Sequence, residues 1–140
     1  MSEAPHDPSG SSVIEKPASK KALWTGRILT ALVGLLMIFS AVMKFLKPAA
    51  VVQGMVHLGY PESLLPTLGI LEAVCAILYL IPRTSVLGAI LLTGYLGGAT
   101  ASTLRVGDPF LFPVIAGVLV WGGLFLRDPR LRKLIPINIR

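Results

Sequence analysis

Apolar residues in this chain are concentrated in four long runs that carry almost no charge. The runs extend over about residues 24–43, 64–81, 86–104 and 109–126. Each run is close to the ~20 residues that an α-helix needs to cross a hydrocarbon layer ~30 Å thick. The pattern predicts an all-α membrane protein in which four transmembrane helices pack as a bundle.

A shorter apolar stretch, residues 48–59, separates the first run from the second and cannot cross a bilayer. Its apolar side chains recur at helical spacing and would share one face: Val51, Val52, Met55 and Val56. Pro48 suits the first turn of such a helix, and Gly59 suits the position after its end. We therefore predict a short interfacial helix between transmembrane helices 1 and 2.

Polar residues and prolines between the runs predict where the helices begin and end. Ser63 can cap the start of the second helix, and Pro82 terminates it. Asp108 can cap the fourth helix, since Pro109 suits its first position.

Small residues predict where helices approach one another closely, because lipid offers no hydrophobic drive for helix association. They recur at helical spacing on two helices: Gly26, Thr30 and Gly34 on the first, and Gly94, Gly98 and Ser102 on the third. We expect both sets to form packing seams of the bundle.

Composition agrees with a membrane-embedded unit. The chain has 140 residues, of which 54% are hydrophobic, and a mean hydropathy of +0.75. We predict a disordered cytoplasmic tail at residues 1–21, a four-helix membrane domain at 22–136 and a basic interfacial C-terminal tail at 127–140. Prolines, serines and mixed charges distinguish the first tail from a signal peptide, so we expect no cleavage.

The net charge of +6 does not indicate nucleic-acid binding, because the basic residues lie at the ends of the apolar runs. That position is typical of residues that set the orientation of a membrane protein. Ten of the basic residues fall on the side of both termini: Lys16, Lys20, Lys21, Arg27, Arg83, Arg127, Arg130, Arg132, Lys133 and Arg140. Only Lys44, Lys47 and Arg105 fall on the other side. By the positive-inside rule, we expect a multi-pass protein of the cell membrane with both termini in the cytoplasm.

The residues that carry cofactor and catalytic chemistry are scarce. Cys75 is the single cysteine, so one chain cannot form a disulfide or a cysteine-based metal site. The two histidines, His6 and His57, lie outside the four runs, which leaves bis-histidine haem unsupported. We assign no catalytic residue and no metal ligand.

Glu72 is the only charged residue between Ser63 and Pro82. It would lie about 12 Å below the start of its helix, at a rise of ~1.5 Å per residue. An ionised group at that depth needs partners from other helices. Four other polar residues at this end of the runs complete a predicted polar pocket: Lys44, Arg105, Thr103 and Ser102.

Three interpretations of Glu72 remain open, one of them being that a shifted helix start leaves it facing the outer interface. It can be a structural carboxylate that is bonded to Lys44, to Arg105 or to hydroxyls of the third helix, and so fixes which helices meet. It can also handle protons or a ligand, for instance through a hydrogen bond to a quinone head group.

Several short motifs together resemble the DoxX-like family of small four-helix membrane proteins. They are Phe39-Ser40-Ala41-Val42-Met43-Lys44, Leu58-Gly59-Tyr60-Pro61, Gly69-Ile70-Leu71-Glu72, Leu80-Ile81-Pro82-Arg83-Thr84, Gly97-Gly98-Ala99, Leu104-Arg105-Val106-Gly107-Asp108-Pro109 and Leu126-Arg127-Asp128-Pro129-Arg130-Leu131-Arg132. The resemblance implies a four-span bundle and an association with membrane redox systems, since the name-giving member is a subunit of a thiosulfate:quinone oxidoreductase. Glu72 matches the family's glutamate, and Lys44 and Arg105 match its basic positions. Relatives commonly have a histidine where this chain has Thr103.

These observations support an accessory subunit of a membrane redox or quinone-linked complex, rather than a stand-alone enzyme. Its partners would be the lipid bilayer, a redox partner subunit and a quinone as the cofactor, and a homo-oligomer is compatible with the glycine-rich faces. The alternative is a structural membrane module that assembles or stabilises other membrane proteins. A proton or small-solute transporter is a third hypothesis, although four short helices without an obvious repeat give little room for alternating access.

Overall fold

A computed structural model describes residues 19–135, which are 85% helical and contain no strand. The α-helices of this part of the chain are α1 (Lys20–Leu46), α2 (Ala49–His57), α3 (Leu65–Leu80), α4 (Ser85–Val106), α5 (Leu111–Arg127) and α6 (Pro129–Leu134). A single 3₁₀ turn, Glu62–Leu64, precedes α3. Residues 1–18 of the predicted N-terminal tail lie outside the described part of the chain. The last two residues of that tail, Lys20 and Lys21, instead belong to α1, because the Ser19 hydroxyl accepts the Ala22 N–H and caps the helix there.

Helices α1, α3, α4 and α5 form a bundle arranged as a ring. Helix α1 packs against α3 and α5, and α4 packs against the same two helices on the opposite side. Apolar side chains of all four helices meet in the centre: Val33 and Met37 of α1, Ala76 and Tyr79 of α3, Ala89 and Leu92 of α4, and Val120 and Leu124 of α5. The Tyr79 hydroxyl is satisfied within this core, since it donates to the Val120 carbonyl at 2.9 Å.

The helices make their closest approaches at glycines. A Cβ at Gly26 would lie 2.8 Å from the backbone N of Arg127, so α1 and α5 are in backbone contact there. A Cβ at Gly88 would lie 2.6 Å from the carbonyl carbon of Leu78 and still closer to the backbone of Tyr79, so α4 and α3 are also in backbone contact. The predicted first-helix seam is therefore in an interface, and its other members, Thr30 and Gly34, are also buried.

The prediction that the glycines of the third predicted helix lie in a packing seam of the bundle is wrong. Gly94 and Gly98 have no neighbouring atom within 4 Å of the position that a Cβ would occupy, and both are exposed. Helix α4 packs on α3 through Gly88 instead, one turn after its start. Spacing identified the small residues of α4, but the rotation of the helix about its axis decides which of them face a neighbour.

Three helical segments are long and apolar enough to cross a membrane: Lys20–Leu46, Glu62–Leu80 and Ser85–Val106. Only 28%, 33% and 28% of their most apolar windows are buried inside the bundle, so most of their apolar side chains face outward. Helix α5 is also apolar but has only 17 residues. Outward-facing apolar surface on this scale is stable in lipid and not in water, which identifies an integral membrane protein.

Two predicted helix starts differ from the structure. Helix α3 begins at Leu65 without a side-chain cap, because the preceding 3₁₀ turn takes up Ser63. Helix α5 begins at Leu111 with Phe110 in the capping position, so Asp108 does not cap it. The Asp108 backbone N–H instead donates to the Thr103 carbonyl at 3.0 Å and closes the end of α4, helped by the left-handed Gly107 (φ +80°).

The segment after the bundle packs against it. Asp128 caps α6 by accepting the Arg130 N–H, and Leu131 of this helix is buried in the hydrophobic core. Arg132 donates to the carbonyls of Phe125 and Leu126, which are among the last carbonyl acceptors of α5. The interfacial position predicted for residues 127–140 stays a prediction, and residues 136–140 lie outside the described part.

Candidate functional site

Glu72 lies in the middle of α3 and is 2% exposed. Its Oε2 is 2.6 Å from Nζ of Lys44, whose side chain is 11% exposed. Lys44 comes from the last turn of α1, so the ion pair joins two helices through residues that are 28 positions apart in sequence. At this distance and burial the pair is a charge-assisted hydrogen bond that water hardly screens.

A close contact between α1 and α3 makes this pairing possible. Gly69 lies one turn before Glu72, and a Cβ there would be 3.2 Å from the Ala41 carbonyl oxygen and 3.3 Å from Lys44 Cβ. A larger residue at position 69 would push the helices apart beside the ion pair. Lys44 also donates to the Ser40 hydroxyl, at 2.9 Å, which fixes the ammonium group one turn from the end of its helix.

A third group, Tyr95 of α4, completes the arrangement. Its hydroxyl donates to Glu72 Oε2 at 3.2 Å, and Lys44 Nζ lies 6.0 Å from the centre of its ring. Sequence reasoning missed Tyr95, which is not among the polar residues predicted for the pocket. A signal was available, since a buried tyrosine usually needs an acceptor for its hydroxyl and the carboxylate of Glu72 is the strongest one at that level.

The three groups lie at the wall of a cavity of about 700 Å³. Its polar lining residues are Ser40, Lys44, Tyr60, Glu72, Tyr95 and Thr103, and the remaining lining is mostly apolar. Exposed apolar side chains, including Phe39 (62%) and Phe112 (66%), also line it, so the cavity opens towards the surroundings of the bundle. Gly94 and Gly98 contribute by their lack of side chains, which leaves room in front of α4.

The structure brings only part of the predicted pocket together. Lys44 and Thr103 line the cavity with Glu72, although the Thr103 hydroxyl is engaged with the Thr100 carbonyl at 2.9 Å. Arg105 and Ser102 are not among the lining residues. Ser102 bonds instead to the Tyr60 hydroxyl at 2.7 Å, and Arg105 donates to the Leu58 carbonyl.

These two residues fasten the segment that covers the cavity. Helix α2 contributes Val51, Gly54 and Met55 to the cavity lining, yet none of its residues is buried. Polar contacts hold its far end: Arg105 to Leu58, Ser102 to Tyr60, and His57 to Asp108 with 3.1 Å between Nε2 and Oδ2. Helix α2 therefore forms one side of the cavity and is held to the bundle mainly by polar contacts, whereas the bundle helices pack against one another through apolar contacts.

Chemically, the site offers an ammonium group, a phenol and a carboxylate at the edge of apolar space. This combination can donate hydrogen bonds to a carbonyl oxygen and accept one from a hydroxyl. Cys75, one turn after Glu72, is a free and buried thiol. Residues 19–135 include no group of three or more histidines, cysteines and acidic residues that could hold a metal ion.

Fold and site together define a helical integral membrane protein with a buried charged group in its bundle. The chain belongs to the DoxX-like family, since the family model matches residues 28–123, which include Lys44, Glu72, Tyr95 and the whole cavity lining. A search of curated proteins found no match, and a search of solved structures found none either.

A double-mutant cycle measures how strongly the ion pair couples α1 to α3. Lys44→Met and Glu72→Gln each leave one buried group without its partner, which typically costs ~3–5 kcal/mol when an ion pair is broken from one side. We expect the double variant to be more stable than the sum of the single effects predicts, by about 1–3 kcal/mol. Unfolding of the purified protein in detergent gives these free energies. Additive effects, with no coupling between the two positions, would show that the pair does not act as a unit.

Proposed function

We propose that this protein is an accessory subunit of a membrane redox or quinone-linked complex and that its cavity holds the head group of a quinone-like lipid. The observation that supports this function is the placement of Lys44, Glu72 and Tyr95 at the edge of a mostly apolar cavity that is open to the outside. A volume of about 700 Å³ is within the range of small-molecule sites, which is roughly 300–1,000 Å³.

The chemistry of the site suits a quinone. A quinone has two carbonyl oxygens on an apolar ring, and the Lys44 ammonium and the Tyr95 hydroxyl are donors that could reach one of them after small movements. Glu72 could accept a proton or a hydrogen bond from the reduced, hydroxylated form. The isoprenoid tail would leave the cavity past Phe39 and Phe112 into the acyl chains, so entry would not require passage through water.

The proposal includes four membrane crossings. Helix α5 is only 17 residues long, about 26 Å at ~1.5 Å per residue, but it packs alongside both α1 and α4 in the ring. A helix in that position has its axis roughly aligned with the axes of its neighbours. We therefore propose it as the fourth span of a membrane domain over residues 22–136. Helix α2 would then lie at the outer interface, with the cavity below it and both termini in the cytoplasm, as the distribution of lysine and arginine favours.

Cysteine labelling in whole cells tests this topology. In a Cys75→Ser background, we expect Glu62→Cys to react with a membrane-impermeant maleimide added to intact cells, because the 3₁₀ turn would be outside. Arg83→Cys and Arg130→Cys should react only after the cells are opened. All three positions are exposed at the ends of the bundle, so access to the reagent depends on the side of the membrane. Equal labelling of Glu62→Cys and Arg83→Cys, or labelling of Arg130→Cys from outside, would contradict four crossings.

Quinone retention tests the function of the cavity. We expect protein purified in mild detergent to carry quinone, and Glu72→Gln and Tyr95→Phe to reduce the molar ratio about tenfold, as expected for the loss of one charge-assisted hydrogen bond. The ratio is measured by extraction and mass spectrometry. Glu62→Gln is a matched control, because it removes a carboxylate from the same side outside the cavity. Unchanged retention in both cavity variants, with thermal midpoints showing that they are folded, would exclude the quinone site.

A second function, the structural module, is favoured by a different observation. Both partners of Glu72 come from this chain, so the carboxylate is satisfied without any ligand. In that case the ion pair fixes helix packing, and the outward-facing apolar surface binds partner membrane proteins. Glu72→Gln would then lower the thermal midpoint in detergent while the content of bound small molecules stayed the same.

A further inference from the structure

A second cavity lies at the opposite end of the bundle, on the side where α1 begins and α5 ends. It has a volume of about 250 Å³ and is lined by Arg27, Pro82, Ser85, Arg127 and Asp128. Along α1, Arg27 and Lys44 are separated by about 25 Å, so this cavity is far from the site around Glu72. Its lining comes from three bundle helices and one turn: Arg27 from α1, Pro82 from the α3–α4 turn, Ser85 from α4 and Arg127 from α5.

The first indication of a ligand is an unpaired hydrogen-bond donor on the Arg127 guanidinium. Its Nη2 atom is buried and has no hydrogen-bond acceptor among the described residues. A buried donor without an acceptor costs ~1–3 kcal/mol, and more when it is charged. Neither Arg127 nor Arg27 forms an ion pair with a carboxylate of residues 19–135, and the nearby Asp128 already accepts the Arg130 N–H. The two arginines therefore carry more positive charge than the single aspartate of the cavity balances.

The start of α4 adds donors at the same place. No side chain caps its first turn, because the Thr84 hydroxyl donates to the Leu78 carbonyl and the Ser85 hydroxyl donates to the Pro82 carbonyl. The first N–H groups of a helix carry partial positive charge and favour anions. Ser85 itself is 4% exposed and lines the cavity, so this helix end reinforces the field of the two arginines.

The surroundings of the cavity are apolar and exposed. Trp24 is 63% exposed and Ile28 is 55% exposed on either side of Arg27, and Ile81 beside Pro82 is 43% exposed. Tryptophan is typical of the boundary between lipid tails and head groups. An anion bound here would therefore sit at the level of phospholipid head groups, and basic pockets between helices on the cytoplasmic side are suited to anionic ones.

We propose that this cavity binds a phosphate group, through the guanidinium groups of Arg27 and Arg127, and that an anionic phospholipid such as phosphatidylglycerol supplies it. Guanidinium groups bind phosphate oxygens with two parallel hydrogen bonds, so a small turn of the Arg127 side chain toward the cavity would give the buried Nη2 its missing acceptor. The acyl chains would run along the apolar surface beside Ile28. The bound lipid would tie α1 to α5 at the end of the bundle where Gly26 and Arg127 are in backbone contact.

Lipid titration of the full-length protein in detergent tests the proposal. Native mass spectrometry gives the dissociation constants of phosphatidylglycerol and of zwitterionic phosphatidylcholine. We expect tighter binding of phosphatidylglycerol, and an increase of its dissociation constant of about tenfold in Arg27→Gln and in Arg127→Gln, since each removes one charged donor. Arg83→Gln is the control, because it removes the same charge from an exposed position at the same end, outside the cavity lining. Its dissociation constant should change less than twofold.

Two further measurements distinguish a lipid from free phosphate as the source of the phosphate group and check that the variants are folded. Displacement of phosphatidylglycerol by millimolar inorganic phosphate would assign the site to free phosphate and uphold its chemistry, whereas failure to displace would assign it to the lipid. If Arg127→Gln does not fold, as judged by its helical circular dichroism, the test is the dissociation constant of Arg27→Gln compared with that of Arg83→Gln, since both arginines are exposed. Loss of affinity in Arg27→Gln no greater than in Arg83→Gln would overturn the proposal.

Discussion

The ion pair between Lys44 and Glu72 is the interaction on which the arrangement of the bundle depends. A carboxylate in the middle of an apolar helix is costly in lipid unless it is paired and hydrogen-bonded. The pair meets this requirement at 2.6 Å, with the Tyr95 hydroxyl as a second donor to the same oxygen. Three helices, α1, α3 and α4, thus acquire a fixed mutual rotation, because other rotations would leave a charge facing lipid.

The two ends of the bundle meet this constraint differently. At the end where α1 begins and α5 ends, backbone contacts at Gly26 and Gly88 and the fully buried Tyr79 make a tight apolar interface. At the other end the polar groups need room and partners, and the helices enclose a cavity of about 700 Å³ under the weakly packed α2. Polar groups that must be satisfied and glycines that leave space therefore leave an open cavity in an otherwise close-packed bundle.

The sequence was sufficient for the helices and for the expectation that Glu72 has partners from other helices, and insufficient for the identity of those partners. Apolar runs predicted the four bundle helices and a short helix between the first two, because hydropathy and length are local properties. Lys44, Arg105 and hydroxyls of the third helix were all open as partners of Glu72, and only helix rotation distinguishes them. Tyr95 was missed for the same reason. The start of α5 was misplaced because Asp108 closes the preceding helix, and that choice depends on Gly107 and the loop geometry.

The central claim is that Glu72 is ionised and paired with Lys44 inside the membrane, and solid-state NMR in lipid bilayers tests it most directly. With ¹⁵N-labelled lysine and ¹³C-labelled glutamate, the account predicts a strong dipolar coupling between Lys44 Nζ and the Glu72 carboxyl carbon, assigned by its loss in Lys44→Met. The carboxyl carbon should also have the chemical shift of an ionised group. A neutral carboxyl shift for Glu72 with no coupling to Lys44 would contradict the account.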